Sequence, residues 1–143
     1  MNMGGMISSE IGIRLVVPGK AVVPLTAGLF YTARNPYAIR IAFFTGGGER
    51  VEWTFARELL ATGLNGAAGL GDVRVWPSPA SLLGFRRVLN LEISSPAGMA
   101  QFALPAKDIR NFLRRTYAIV PEAAESDHLD FDAGLRNLLR ESL

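Results

Sequence analysis

The side chains with the most obvious chemical potential lie near the end of the chain. His128, the one histidine among 143 residues, stands beside Asp127 and Asp130, which could in principle hold it as a general base. General-base catalysis needs partners that converge in space, and a histidine in an acidic connector reads first as an exposed loop residue. Glu125, Asp127, Asp130 and Asp132 resemble a calcium loop only in charge, without the glycine at the sixth position or the distal bidentate glutamate. The absence of cysteine excludes disulfides and thiolate metal sites, and a single histidine excludes a His-rich one. No serine sits in a Gly-x-Ser-x-Gly elbow. Gly46-Gly47-Gly48 and the glycines from 66 to 71 lack the strand-to-helix placement and the lysine of a phosphate cradle. Gly46 to Gly48, flanked by two strong strands, read as a hairpin turn. No catalytic residue, cofactor ligand or metal ligand is assigned, and the chain reads as a protein that is not an enzyme.

Binding is the alternative to catalysis. Arginines 14, 40, 74, 86 and 87 fall on expected strands, and Arg110, Arg114 and Arg115 on an expected helix. Single-strand nucleic-acid binders interleave such charges with exposed aromatic rings. Here Phe43, Trp53, Phe55 and Phe102 occupy apolar faces and read as core, whereas Trp76 shares a face with Arg74. The cluster Arg110, Arg114 and Arg115 is a candidate contact for an acidic partner surface. Its ordinary alternative is a solvated face whose aliphatic stems cover apolar neighbours.

Backbone patterning supplies the elements that hold these residues. Alternation gives a first strand over Ile11 to Val17, a second over 22–32, and a third from Tyr37 to Thr45 with Ile39, Ile41 and Phe43 on one face. The organising stretch is Val51 to Ser78. Val51, Trp53 and Phe55 alternate with Glu52 and Thr54, a short run of helix formers follows, and Gly63 is placed as a C-cap with positive φ. After a glycine-punctuated loop a fifth strand runs from Asp72 to Trp76 and is ended by Pro77 and Pro79. A sixth strand covers Phe85 to Ser94 and a seventh Met99 to Leu104. A helix follows with Ile109, Phe112, Leu113 and Thr116 on its apolar face and Asp108 in its first turn. Asp130 or Asp132 can cap a terminal helix with Leu135, Leu138 and Leu139 as its stripe. Strand runs followed by helices indicate α+β with antiparallel sheet.

The length fits one domain with one core, a single unit over 1–143. Residues 1–10 are expected to be a flexible N-terminus, and 122–143 an acidic connector plus helix. A hydrophobic content of 49% is high for the size and hints at a protomer with a partner. No run approaches the roughly 18 apolar residues of a membrane span, and no signal peptide is evident, so the expected compartment is the cytoplasm. Net charge is +2, split between a basic body and a tail from residue 119 holding 6 acidic and 2 basic side chains. That split is weak support for nucleic-acid binding.

Several blocks carry a resemblance. VEWTFARELL at 51–60, GDVRVWP at 71–77, NPYA at 35–38, SSPAG at 94–98, LPA at 104–106, FLRRT at 112–116 and VP at 120–121 occur in the order found in the SsgA-like family. Asn35 stands where the family usually has Asp, and Glu122 follows Val120-Pro121 where Pro-Gly is usual. The resemblance implies a whirly-like fold, two antiparallel sheet halves of about seven strands with a helix after each half and a C-terminal helix. It also implies a homotrimer with no known catalytic activity, acting in sporulation and cell division at the septum. The implied partners are the division GTPase FtsZ and another SsgA-like protein. Because whirly proteins bind single strands, single-stranded nucleic-acid binding is the competing expectation, although fold analogy alone does not establish it.

Overall fold

In the computed structural model, residues 5–17, 19, 22–79 and 87–122 are described. Ten elements follow one another: β1 (Met6–Val16), β2 (Val23–Thr32), β3 (Ala38–Phe44), β4 (Arg50–Ala56), α1 (Arg57–Gly63), β5 (Ala68–Leu70), β6 (Val73–Pro79), β7 (Arg87–Ser95), β8 (Gly98–Pro105) and α2 (Ala106–Ile119). The strands form one antiparallel sheet in the order β4-β3-β2-β1-β8-β7-β6-β5. The class is therefore α+β. The two halves are real as meanders but are not separate sheets. They join where Arg14–Val16 of β1 pair with Gln101–Ala103 of β8.

Strand count is the main departure from expectation. The described residues hold eight strands, because Ala68–Leu70 pairs with Val73–Val75 inside the stretch read as a glycine loop. The tight turn between them needs Gly71 at φ 61°, which glycine adopts without a Cβ clash. β6 also continues through Pro77 and Pro79, paired with Leu89 and Arg87. Past Val75 it has a single neighbour, and a proline without an N–H is tolerated on such an edge. β1 begins at Met6, earlier than alternation suggested, and pairs along its length with β2. The anticipated C-terminal helix, its caps, and His128 with its acidic neighbours lie outside the described residues.

One face of the sheet carries the core. Ile11, Ile13, Leu29, Ile41, Phe43 and Phe55 from the first meander meet Val75, Leu89, Leu91, Phe102 and Leu104 from the second, with α1 and α2 packed over them. Phe43 on β3 and Phe102 on β8 are three strand positions apart, roughly 14 Å in a flat sheet. Their rings nevertheless stack at 4.4 Å between centroids. The sheet must curl into a half-barrel to bring them together, as the right-handed twist of adjacent strands allows.

Gly63 departs from its expected role. It is the last residue of α1, with Leu64 as the C-cap in the right-handed region, and its own φ is not positive. Its purpose is steric: a Cβ there would stand 2.5 Å from Val75 Cγ2 and 2.9 Å from Leu89 Cδ1. The missing side chain lets α1 lie directly on β6 and β7.

Candidate protein-contact surface

Helix α2 buries Ala106, Ile109, Phe112, Leu113 and Thr116, and the spacing of these residues turns Lys107, Arg110, Arg114 and Arg115 outward. All three arginines singled out from sequence are exposed, and two of them have partners of their own. Arg114 Nη1 donates to Asn111 Oδ1 at 3.1 Å on the same helix. Arg115 points across to β1, where its Nη1 reaches the Ser8 carbonyl oxygen at 3.5 Å and its guanidinium lies 5.9 Å from the Phe112 ring centroid. Arg115 thus lies against β1, beyond the helix's own surface.

Beside it, the outer face of β1, β2 and β3 forms a groove of about 520 Å3 lined by Met6, Ile7, Ser8, Phe30, Arg34 and Arg40 among others. Alternation explains the lining. Register places Ser8 opposite Phe30 and Phe30 opposite Arg40, so the three share a row on the outer face. Phe30 lies flat over Gly28, where a Cβ would be 2.9 Å from its ring. Arg40 and Arg50 sit 5.2 and 5.6 Å from the Phe30 centroid, and Arg50 is 5.9 Å from Phe44. Glu52 joins both arginines, at 3.6 Å from Arg40 and in closer contact with Arg50. Arg34 is exposed on the turn that follows β2, where its backbone N–H donates to Thr32 Oγ1.

A second concavity lies at the mouth of the half-barrel. It holds about 410 Å3 between Leu15, Leu25, Phe43, Trp53, Ile93 and Phe102, with Val51 and Met99 exposed at its rim. Among the described residues its polar side chains are Thr45, Ser95 and the indole of Trp53. Neither concavity gathers groups suited to proton transfer. Among the described residues no three His, Cys, Asp or Glu side chains come together as metal ligands.

The aromatics expected in the core are there. Phe43, Phe55 and Phe102 are buried, and Trp53 is half-buried against the same cluster. Trp76, half-buried, faces Asn90, whose Nδ2 donates to the Trp76 carbonyl at 3.1 Å and to Ser78 Oγ at 2.9 Å. Arg74 pairs loosely with Glu92 at 3.8 Å.

Arg57 was not singled out by sequence and is the most unusual side chain of the fold. It is 0% exposed. Its Nη1 donates to the Val120 carbonyl at 2.8 Å and to Thr116 Oγ1 at 3.4 Å, and its guanidinium lies 4.1 Å from the Tyr117 ring centroid and 5.3 Å from that of Tyr31. Thr116 in turn donates to the Leu113 carbonyl at 2.7 Å. The guanidinium therefore ties α1 to the C-terminal turn of α2, where carbonyls lack helical partners. The signal in sequence was a charged pair, Arg57-Glu58, in the otherwise apolar run from Phe55 to Ala61, a pair easily assigned together to the solvent side of a short helix.

A family model described as Streptomyces sporulation and cell division protein, SsgA, matches residues 25–125. The sporulation-specific cell division protein SsgB of Frankia casuarinae is 50% identical over 133 residues, covering 93% of this chain and 91% of that protein. The crystal structure of an SsgA-like sporulation-specific cell division protein from Thermobifida fusca superposes with a TM-score of 0.82 at 46% identity, covering 96% of this chain and 98% of its own. A Streptomyces coelicolor structure, solved in work linking SsgB mutations to longitudinal cell division during sporulation, gives a TM-score of 0.81 at 44% identity. It covers 90% of this chain and 98% of its own. No helix among the described residues is long and apolar enough to cross a membrane. With a family match across most of its length and relatives of this identity, the chain belongs to the SsgA family of sporulation and cell division proteins.

Proposed function

We propose that this protein is a non-catalytic regulator of sporulation-specific cell division, a cytoplasmic adaptor that recruits or stimulates FtsZ at septum sites. The observation that carries this reading is similarity to SsgB proteins along nearly the whole chain rather than in one motif. The physics of the surface is compatible with it. Exposed arginines and two open concavities suit contact with another protein, and an oligomer that displays several copies gains avidity on a partner that itself repeats. In this reading the protein acts as a homotrimer and works with a second SsgA-like protein, and Arg110, Arg114 and Arg115 contribute to partner contact.

Sedimentation of FtsZ with GTP, with and without the purified protein, tests the proposal: polymer in the pellet should increase. Beside it, a mobility shift on single-stranded DNA at several salt concentrations tests the competing nucleic-acid reading. The burial of Phe43, Phe55 and Phe102 argues against stacking platforms for bases. A salt-steep shift with no effect on the polymer would overturn the proposal. Charge reversal at Arg110, Arg114 and Arg115 together should weaken FtsZ pull-down, and undiminished capture would remove these residues from the contact.

A further inference from the structure

The groove on the outer face of β1, β2 and β3 has a chemistry of its own. At one rim Arg115, arriving from α2, touches the Ser8 carbonyl, and at the opposite rim Arg40 stands on β3. Arg34 lies at the end of the groove, exposed, and no carboxylate lies within ion-pair distance of it among the described residues. Between these charges the floor is apolar, formed by Met6, 63% exposed, and the edge of Phe30, whereas Ile7, one residue along β1, turns its side chain to the core. Ser8 and Arg40 are two strand spacings apart, about 10 Å, a span that three residues of extended chain would bridge.

We infer that this groove is a docking site for an acidic peptide segment of a partner protein, one that places an apolar side chain on Met6 between carboxylates held by Arg115 and Arg34. The inference rests on the adaptor reading above and gives it a location. Charge complementarity selects this occupant. Arg34 and Arg40 line the groove and Arg115 reaches the Ser8 carbonyl beside it, while Glu52 is shared by Arg40 and Arg50, and Glu10 lies one row further along β1. A nucleic acid is a poorer fit, because the Phe30 ring is flanked by Arg40 and Arg50 and has no face free for a base. Arg115 therefore acts with Arg34 across two elements, while Arg110 and Arg114 lie outside the groove and their contact with the partner is separate from the peptide's.

Fluorescence anisotropy on the full chain tests this with a labelled Asp-Asp-Leu-Phe-Asp-Asp peptide. A Lys-for-Asp version and an oligo-dT serve as comparisons, together with a peptide copying this chain's own residues 121–132. The acidic peptide should bind saturably and the lysine peptide should not. Affinity should fall about fivefold in Arg34→Ala and again in Arg115→Ala, with both variants keeping the parent thermal midpoint. Arg110→Ala combined with Arg114→Ala should leave it unchanged. Equal losses in both pairs of variants would refute the groove, as would absent binding or tighter binding of oligo-dT. Much tighter binding of the 121–132 peptide would assign the groove to this chain's own acidic segment and overturn the partner assignment. Failure of the peptide assay with FtsZ sedimentation still stimulated removes the groove alone, whereas loss of the sedimentation effect removes the adaptor reading.

Discussion

Replacing Arg57 with methionine removes a charge that the fold has built around. Methionine keeps much of the length and none of the donors. The Val120 carbonyl, reached at 2.8 Å, loses a charged donor, a loss of about 1.5–3 kcal/mol for hydrogen bonds of this kind. The stack on Tyr117 at 4.1 Å is desolvated and contributes about 2 kcal/mol. The bond to Thr116 at 3.4 Å is long and adds about 0.5 kcal/mol. Against these, the variant no longer has to bury an ion, which recovers part of the sum. The net expectation is a loss of about 2–3 kcal/mol, a large share of the 5–15 kcal/mol typical of a domain. Urea unfolding followed by tryptophan fluorescence, at one fixed protein concentration, should show the midpoint falling by about 1–1.5 M for an m-value near 2 kcal/mol/M. Arg57→Lys keeps the charge without the planar fork and should recover less than half of that. A midpoint within about 0.3 M of the parent in Arg57→Met would mean that burial of the ion cancels its bonds, and the anchoring role would be wrong.

Gly63→Ala should destabilise by about 1–3 kcal/mol despite alanine's better helix propensity, since its Cβ would meet Val75 at 2.5 Å; the thermal midpoint reads this directly. Phe102→Ala opens the half-barrel where it closes on Phe43, and chemical denaturation should report a loss of about 3–5 kcal/mol. Asn90→Leu leaves the Trp76 carbonyl and Ser78 hydroxyl without their donor and should lower stability by about 1–2 kcal/mol in the same measurement. Glu52→Gln, on an exposed ion cluster, should change stability by less than about 0.5 kcal/mol at any salt concentration.

Most of the sheet was legible because strands such as β3 and β4 turn one face to the core and the other outward, although β7 is buried on both faces. The alternation of Ile39, Ile41 and Phe43 with Arg40, or of Val51, Trp53 and Phe55 with Glu52, sets both the strand and its inward side. β5 was hidden because Ala68-Gly69-Leu70 is too short to show a period, and it is held by pairing to β6. Pro77 and Pro79 misled for a related reason: whether a proline ends a strand depends on which edge is free, which only the neighbours decide. Gly63 read as a cap because a glycine after a helical run usually is one, and its close contact with β6 and β7 comes from elements distant in sequence. The outward arginines of α2 followed from its period. That Arg115 reaches the Ser8 carbonyl depends on where β1 runs, which no spacing within the helix encodes.

The seam between β1 and β8 bears on the order of assembly. Every other strand pair joins strands consecutive in the chain, whereas this one brings together residues 14–16 and 101–103. Hairpins close in microseconds, while joining segments so distant must wait for a much costlier loop closure. On loop-closure cost alone each meander is expected to form before the three residue pairs of the seam join two ribbons into one body, an order that φ-values at Leu15 and Phe102 near zero would bear out.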